Sequence, residues 1–183
     1  NVFELISCMT ALIRSEERKR CSELKLQLTH LQVLEYISLC NKYSDTPAAL
    51  ANYLGMTRGT VSQTLIVLEK KGFLTKVQDT ADKRVYHLQL TVAGVDILQQ
   101  AKPTNLFEQA NDLLGDDFSS LEGEALFVAA LTALQKANHS QSFGVCKTCK
   151  NFTQRETGFF CELTKEVLSK VDANKICQEH VPY

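Results

Sequence analysis

The stretch Thr57-Arg-Gly-Thr-Val-Ser-Gln-Thr-Leu-Ile-Val-Leu-Glu-Lys-Lys-Gly72 reads as one helix with two unlike faces. Thr57 is a good N-cap, and Gly72 stops the helix after Lys70 and Lys71, cations that suit the negative end of the helix dipole. Val61, Leu65 and Leu68 recur at i, i+4 and i+7, so one side must pack on other helices. The other side carries Gly59, Ser62, Gln63 and Lys70, with Arg58 at its flank and Thr57 and Thr60 at its N-terminal end. Uncharged hydrogen-bonding side chains of this kind read base edges in a DNA groove, and cations meet phosphates. An ordinary amphipathic surface helix has the same pattern, so the neighbours decide.

Immediately before it, Thr46-Pro47-Ala48-Ala49-Leu50-Ala51-Asn52-Tyr53-Leu54 opens with an N-cap followed by proline at the first helical position, and Gly55-Met56 makes the turn. Two helices joined by a short glycine-containing turn are a helix-turn-helix. Immediately after it, Phe73–Gln78 and Val85–Leu90 alternate apolar and polar residues around the polar stretch Asp79–Arg84. This predicts a β-hairpin wing whose Lys83 and Arg84 reach a phosphate or the minor groove. The candidate DNA-contacting set is therefore Thr57, Arg58, Gly59, Thr60, Ser62, Gln63, Lys83 and Arg84.

Taken together, Leu28-Thr-His-Leu-Gln-Val-Leu34, Ala49-Leu-Ala51, Met56-Thr-Arg-Gly-Thr-Val-Ser62, Leu68-Glu-Lys-Lys-Gly-Phe-Leu74, Asp79-Thr-Ala-Asp-Lys-Arg84 and Leu90-Thr-Val-Ala-Gly94 resemble the winged helix-turn-helix of the MarR family of transcriptional regulators. The resemblance extends over residues 1–138, with residues 28–90 as the DNA-reading unit. It implies a mainly α fold, with a three-helix core, a β-hairpin wing and an intertwined helical dimerisation bundle. It also implies a homodimer on a pseudo-palindromic double-stranded operator and a small-molecule effector bound between the dimer helices and the reading unit. Family wings carry a second arginine where this chain has Ala81, which puts the strength or placement of the wing contacts in question.

The rest of the chain fits this frame. At 183 residues it can bury one core and add a small appendage. A net charge of −1 neither supports nor excludes nucleic acid, because a dimer can keep an acidic body and present basic ends. There is no run of about 18 apolar residues and no signal-peptide pattern, so a cytoplasmic chain is expected. Because it begins at Asn1 rather than methionine, further native residues are expected ahead of it. Val2, Leu5, Ile6, Met9, Leu12 and Ile13 form one stripe that wants a partner helix. A helix over Leu28–Cys40, with Thr29 and Gln32 as a capping box, supplies Leu31, Leu34 and Ile37 to the core. Beyond the wing, a helix from Thr91 should break at Pro103 and resume over Leu106–Leu114. Ser119 with Glu122 should then open a last helix through Leu126–Leu134.

Residues 139–145 read as a linker, and residues 146–183 as a small cysteine-rich module with at most one short helix, over Thr164–Lys170. The module holds four of the seven cysteines, as Cys146-x2-Cys149-x11-Cys161-x15-Cys177, with His180 three positions on. Disulfides do not suit a reducing compartment, whereas four thiolates around a metal would supply the folding free energy so short a segment lacks. The expected centre uses the four cysteines, or three with His180. Zinc is preferred because Cys177-x2-His180 makes a second knuckle, although Cys161 is then superfluous, and an iron–sulfur cluster on the same thiolates is the alternative. Phe152, Phe159, Phe160 and Ile176 are expected to shield it. Cys8, Cys21 and Cys40 read as small hydrophobes, and His30 and His87 as surface residues, with His139 able to join the metal region only if the linker folds back.

The functional expectation is a regulator responsive to an effector or to its metal or redox centre. The alternative is an enzyme using the cysteine cluster. No nucleophile with its base, phosphate loop or dinucleotide fingerprint supports that alternative, and four thiolates leave zinc no open position.

Overall fold

The computed structural model describes residues 1–80, 82–114, 121–137, 143–155 and 158–181. Its DNA-reading unit is built from α2 (Leu28–Leu39), α3 (Pro47–Leu54), α4 (Arg58–Lys70) and a hairpin of β1 (Leu74–Gln78) with β2 (Tyr86–Leu90). Leu31, Leu34, Leu50, Leu65, Leu68, Leu74 and Leu88 are fully buried and meet in one core. Full burial of each such side chain is worth about 1.5–3 kcal/mol.

Local chemistry sets the ends of these helices. Thr46 Oγ1 accepts from Ala49 N–H at 3.3 Å to open α3, and Thr57 Oγ1 accepts from Thr60 N–H at 3.1 Å to open α4. Gly55 and Gly72 take φ of +63° and +74°, which lets Met56 N–H reach Ala51 O and Phe73 N–H reach Leu68 O, each at 3.0 Å. The start of α2 differs from expectation. The helix begins at Leu28, and Gln27 N–H donates to Nδ1 of His30 at 3.2 Å, so the cap is Gln27 with His30 rather than Thr29 with Gln32. His30 is accordingly buried rather than superficial, and burial lowers its pKa.

Along the hairpin, Leu74 faces Leu90 and Gln78 faces Tyr86. Leu74 and Leu88 point into the core while Val77 and Tyr86 remain exposed. Leu88 N–H also donates to Asp45 O at 2.7 Å, tying β2 to the α2–α3 turn. The next helix, α5 (Val92–Ala101), is clamped at its start, because Thr91 Oγ1 accepts from Gly94 N–H and donates to Gly72 O at 2.6 Å. Gly94 lies so close to the Phe73 backbone that a Cβ there would sit 1.8 Å from Phe73 O. The glycine of the Leu90–Gly94 motif is thus a packing requirement.

Pro103, itself buried, separates α5 from α6 (Thr104–Leu114), and α7 (Leu121–Ala137) follows. The Ser119–Glu122 cap lies outside what the structure describes, as does Ala81. The N-terminal helix α1 (Val2–Glu23) buries Glu17 and Cys21 against the reading unit, but Leu5 and Leu12 are 64% and 68% exposed. Leu113 on α6 and Leu126 on α7 are exposed too, so α1, α6 and α7 all carry exposed apolar side chains.

The terminal module is β-structured. Gly144–Val145 (β3) pairs with Ile176–Cys177 (β7), and Phe152–Arg155 (β4), Gly158–Cys161 (β5) and Glu166–Leu168 (β6) form a sheet in that order, with 3₁₀ turns at Cys146–Thr148 and Asp172–Asn174. Two expectations change. The Thr164–Lys170 segment is not helical: Lys165, at φ +58°, turns the chain so that Glu166 returns opposite Cys161. The module also begins earlier than residue 146, since Gly144 is already in a strand and the Phe143 ring lies 4.6 Å from that of Tyr53 on α3. His139 and the linker residues 139–142 fall outside the described set.

Candidate nucleic-acid interface and cysteine cluster

The α4 helix delivers the two faces expected of it. Val61, Leu65 and Leu68 are buried, joined by Thr64, whose hydroxyl donates to Thr60 O at 2.9 Å. Arg58, Gly59, Thr60, Ser62, Gln63 and Lys70 are all exposed. A Cβ on Gly59 would meet only Thr57 Oγ1 at 3.8 Å, so α4 has no internal need for a glycine there. Between α4, the start of α3 and the wing runs an open groove of about 790 Å³ lined by Pro47, Ala48, Arg58, Ser62, Lys76 and Tyr86 among others. Lys76 and Tyr86 were not singled out from sequence, because strand alternation says which residues face out but not which overlook α4. Lys76 pairs with Glu69 of α4 at 2.7 Å, bracing helix and wing.

At the wing, Lys83 and Arg84 are exposed, and Arg84 is oriented. Its Nε and Nη2 donate to the Asp82 carboxylate at 2.9 and 2.8 Å, a bidentate pair that lowers the Asp82 pKa and raises that of Arg84. The wing root is tied down as well, and here the expectation for His87 fails. His87 sits between two carboxylates rather than standing as a lone surface residue, with Nδ1 2.5 Å from Asp45 Oδ1 and Nε2 3.0 Å from Asp79 Oδ2. Those hydrogen bonds, Asp45 first, raise its pKa.

The four C-terminal cysteines are brought together. Cys146, Cys149, Cys161 and Cys177 line one cavity of about 30 Å³, walled by Phe152, Leu163 and Leu168 and closed by Asn41 and Tyr43 of the α2–α3 turn. Cys146 and Cys177 share a hydrogen bond. It raises the Cys146 pKa, as does burial, and it lowers that of Cys177. Val181 N–H donates to Cys149 Sγ at 3.3 Å and Asn41 Nδ2–H to Cys146 Sγ at 3.8 Å. Among the described residues, however, no three His, Cys, Asp or Glu side chains are gathered closely enough to hold an ion. The thiols share a cavity, not yet a coordination shell.

His180 is placed elsewhere. It does not line the cysteine cavity; its Nε2 is 3.0 Å from Thr148 Oγ1, and its ring covers Gly144 so closely that a Cβ would come within 2.8 Å of it. Phe152 does wall the cavity, and Phe159 packs on it with ring centroids 5.2 Å apart. Phe160 instead lies beneath the Arg155 guanidinium, and Ile176 lies with Tyr36 and Tyr53, so neither shields the sulfurs. Of the remaining thiols, Cys21 and Cys40 are buried, Cys40 with its pKa pushed up to about 12 mainly by burial, whereas Cys8 is exposed and not the half-buried hydrophobe expected. Asn41 and Tyr43 lie more than a hundred positions before the cysteines, and nothing in their local sequence announces the contact.

Residues 24–85 match the model of the MarR family. No curated protein matches the chain. Among solved structures it is similar to wild-type MarR of E. coli in the apo form, at 23% identity over 75% of this chain and 96% of that one, with a TM-score of 0.53. It is similar to the MepR–DNA complex of S. aureus at 20% identity, 75% and 98% coverage and a TM-score of 0.53. FabT of Streptococcus pneumoniae in complex with DNA matches at 25% identity, 74% and 93% coverage and a TM-score of 0.52. The chain thus has the winged-helix fold of MarR-type transcriptional regulators, spans nearly all of each neighbour and adds about a quarter of its own length. Among the described residues no helix is long and apolar enough to cross a membrane.

Proposed function

We propose that the protein is a MarR-family transcriptional regulator that binds a pseudo-palindromic duplex as a homodimer in the cytoplasm. The observation that carries this reading is the outer face of α4, where Arg58, Gly59, Thr60, Ser62 and Gln63 stand exposed above a fully buried apolar seam and beside a groove walled by the wing. Two of the structural neighbours are DNA complexes, which supports the same reading. Ser62 and Gln63 contact bases. Arg58, Lys83 and Arg84 bind phosphate or the minor groove, while Thr57 and Thr60 sit at the helix end nearest the backbone. The exposed apolar side chains of α1, α6 and α7 are covered by the same helices of a second copy, which sets the spacing of two half-sites. DNA affinity responds to a small effector or to a metal or redox centre on the cysteines. An enzyme built on that cluster is the poorer reading, because four thiolates on one ion leave it no open position for a substrate.

Selection from random duplexes, followed by titration and light scattering, tests this. Gln63→Ala is expected to cost on the order of 1–3 kcal/mol on the selected site and to relax its base preference. Arg84→Ala should weaken all sequences alike and flatten the salt dependence by about one unit of slope. A monomer at micromolar concentration with no affinity for any duplex removes the proposal.

A further inference from the structure

We infer that Cys146, Cys149, Cys161 and Cys177 hold one thiophilic metal centre seated on the α2–α3 turn, and that the filled centre braces the DNA-reading unit through that turn. Three observations carry the site. Four cysteines from three separate parts of the module, the turn at Cys146–Cys149, the end of β5 and the end of β7, line one small, largely apolar cavity. Two of the sulfurs already accept hydrogen bonds from N–H groups, which stabilise thiolate charge. The module otherwise buries little apolar surface of its own: Cys146, Cys149, Leu168 and Ala173 are its buried hydrophobic residues among those described. Each thiol gives up its proton on binding, and the ion draws the sulfurs from a shared cavity into a shell. A single zinc ion and an iron–sulfur cluster both use the same four thiolates.

The seat gives the centre its consequence. Asn41 donates its side-chain N–H to Cys146 Sγ and its backbone N–H to Ile176 O at 2.9 Å. Gln178 N–H donates to Ser44 Oγ and Gln178 Nε2–H to Tyr43 O, both at 2.9 Å. The far end of the same turn holds the reading unit, since Asp45 accepts from Leu88 N–H and pairs with His87 of β2, and Thr46 caps α3. One seven-residue turn, residues 40–46, therefore touches the sulfurs at one end and the wing and α3 at the other. Ordering the sulfurs orders the turn, and an ordered turn fixes the wing relative to α4.

Full-length protein purified without oxygen is to be assayed for metal, acid-labile sulfide and visible absorbance. About one zinc per chain without colour, or iron with sulfide and a brown absorbance, upholds the centre and says which it is. No metal as purified, and no uptake from micromolar zinc chloride or from ferrous iron with sulfide, overturns it. Cys161→Ser should lower metal affinity by at least about tenfold. X-ray absorption on the unmutated protein checks the ligands without a substitution: an all-sulfur shell at about 2.3 Å is expected, and a nitrogen neighbour overturns the four-thiolate set. The brace rests on the DNA-binding reading, and its test separates the two. Metal-loaded protein should bind the selected duplex about tenfold more tightly than chelator-treated protein. Equal affinity within about twofold, or tighter binding without metal, overturns the brace. Protein that holds its metal but binds no duplex in either state overturns the regulator reading and leaves the centre standing.

Discussion

The DNA-reading unit and the cysteine module are close in space and opposite in how they are held. In the first, side chains from α2, α3, α4 and both wing strands are buried to completion, and the described helix ends α3, α4 and α5 are capped by threonine hydroxyls. In the second, strands of two to four residues surround a cavity of sulfurs that Asn41 and Tyr43 of the α2–α3 turn close, while the Tyr53 ring of α3 packs on Phe143. A fold with a sufficient core can place its functional side chains by packing alone. A segment without one must borrow surface, bind an ion, or do both.

The sharpest way to break this contrast is to cut the same group from each region. Leu34→Ala, in the fully buried core, should cost about 2–5 kcal/mol of global stability, read by denaturant unfolding. Leu168→Ala should leave that transition nearly in place and speed proteolysis within residues 143–181. If instead the two variants shift the same transition equally, the module and the reading unit fold as one body. Next in size, Gly94→Ala drives a methyl into Phe73 O and should lose about 1–3 kcal/mol, measured by thermal melting. Gly59→Ala, into open space, should melt like the unmutated protein yet bind DNA less well, because the added methyl stands on the face offered to the groove. The smallest effect belongs to His87. Its pKa is raised above 6.5 by Asp45 and Asp79, so the stability it lends is full below that pH and fades as the pH climbs through the raised value. A melting temperature that falls slightly from pH 6 to 8, and does so less in His87→Gln, is the expected record.

What was legible in the sequence follows from the same contrast. The helices of the reading unit announce themselves through short-range chemistry: Thr46 before Pro47, Thr57 before the Val61–Leu65–Leu68 stripe, Gly55 and Gly72 at the stops. Their candidate contact residues were readable for the same reason, since a buried seam leaves only one face to offer. The start of α2 was misread because a buried histidine that accepts a backbone N–H is not among the usual capping residues. The meeting of the four cysteines was foreseeable from their spacing, but their seat was not, because Asn41 and Tyr43 reach them through tertiary packing. His180 looked like a ligand by its distance from Cys177, and β7 with the turn after it carries the ring to Gly144 and Thr148 instead. The Thr164–Lys170 segment has a helix-compatible composition, and strand pairing with Phe159–Cys161 overrides it.

The backbone bond from Asn41 N–H to Ile176 O, with the parallel bridge between Cys40 and Ile176, joins the terminal module to the end of α2 through main chain as well as side chains. A chain cut after residue 137 would lose more than its sulfurs. It would leave the Asn41 amide without Ile176 O and the Tyr53 ring without Phe143. An unpaired amide and an uncovered aromatic ring favour contact with other chains. A shortened protein made to study DNA binding in isolation would thus be prone to self-association through that surface. Its apparent oligomeric state would report the missing tail as much as the helices that make the dimer.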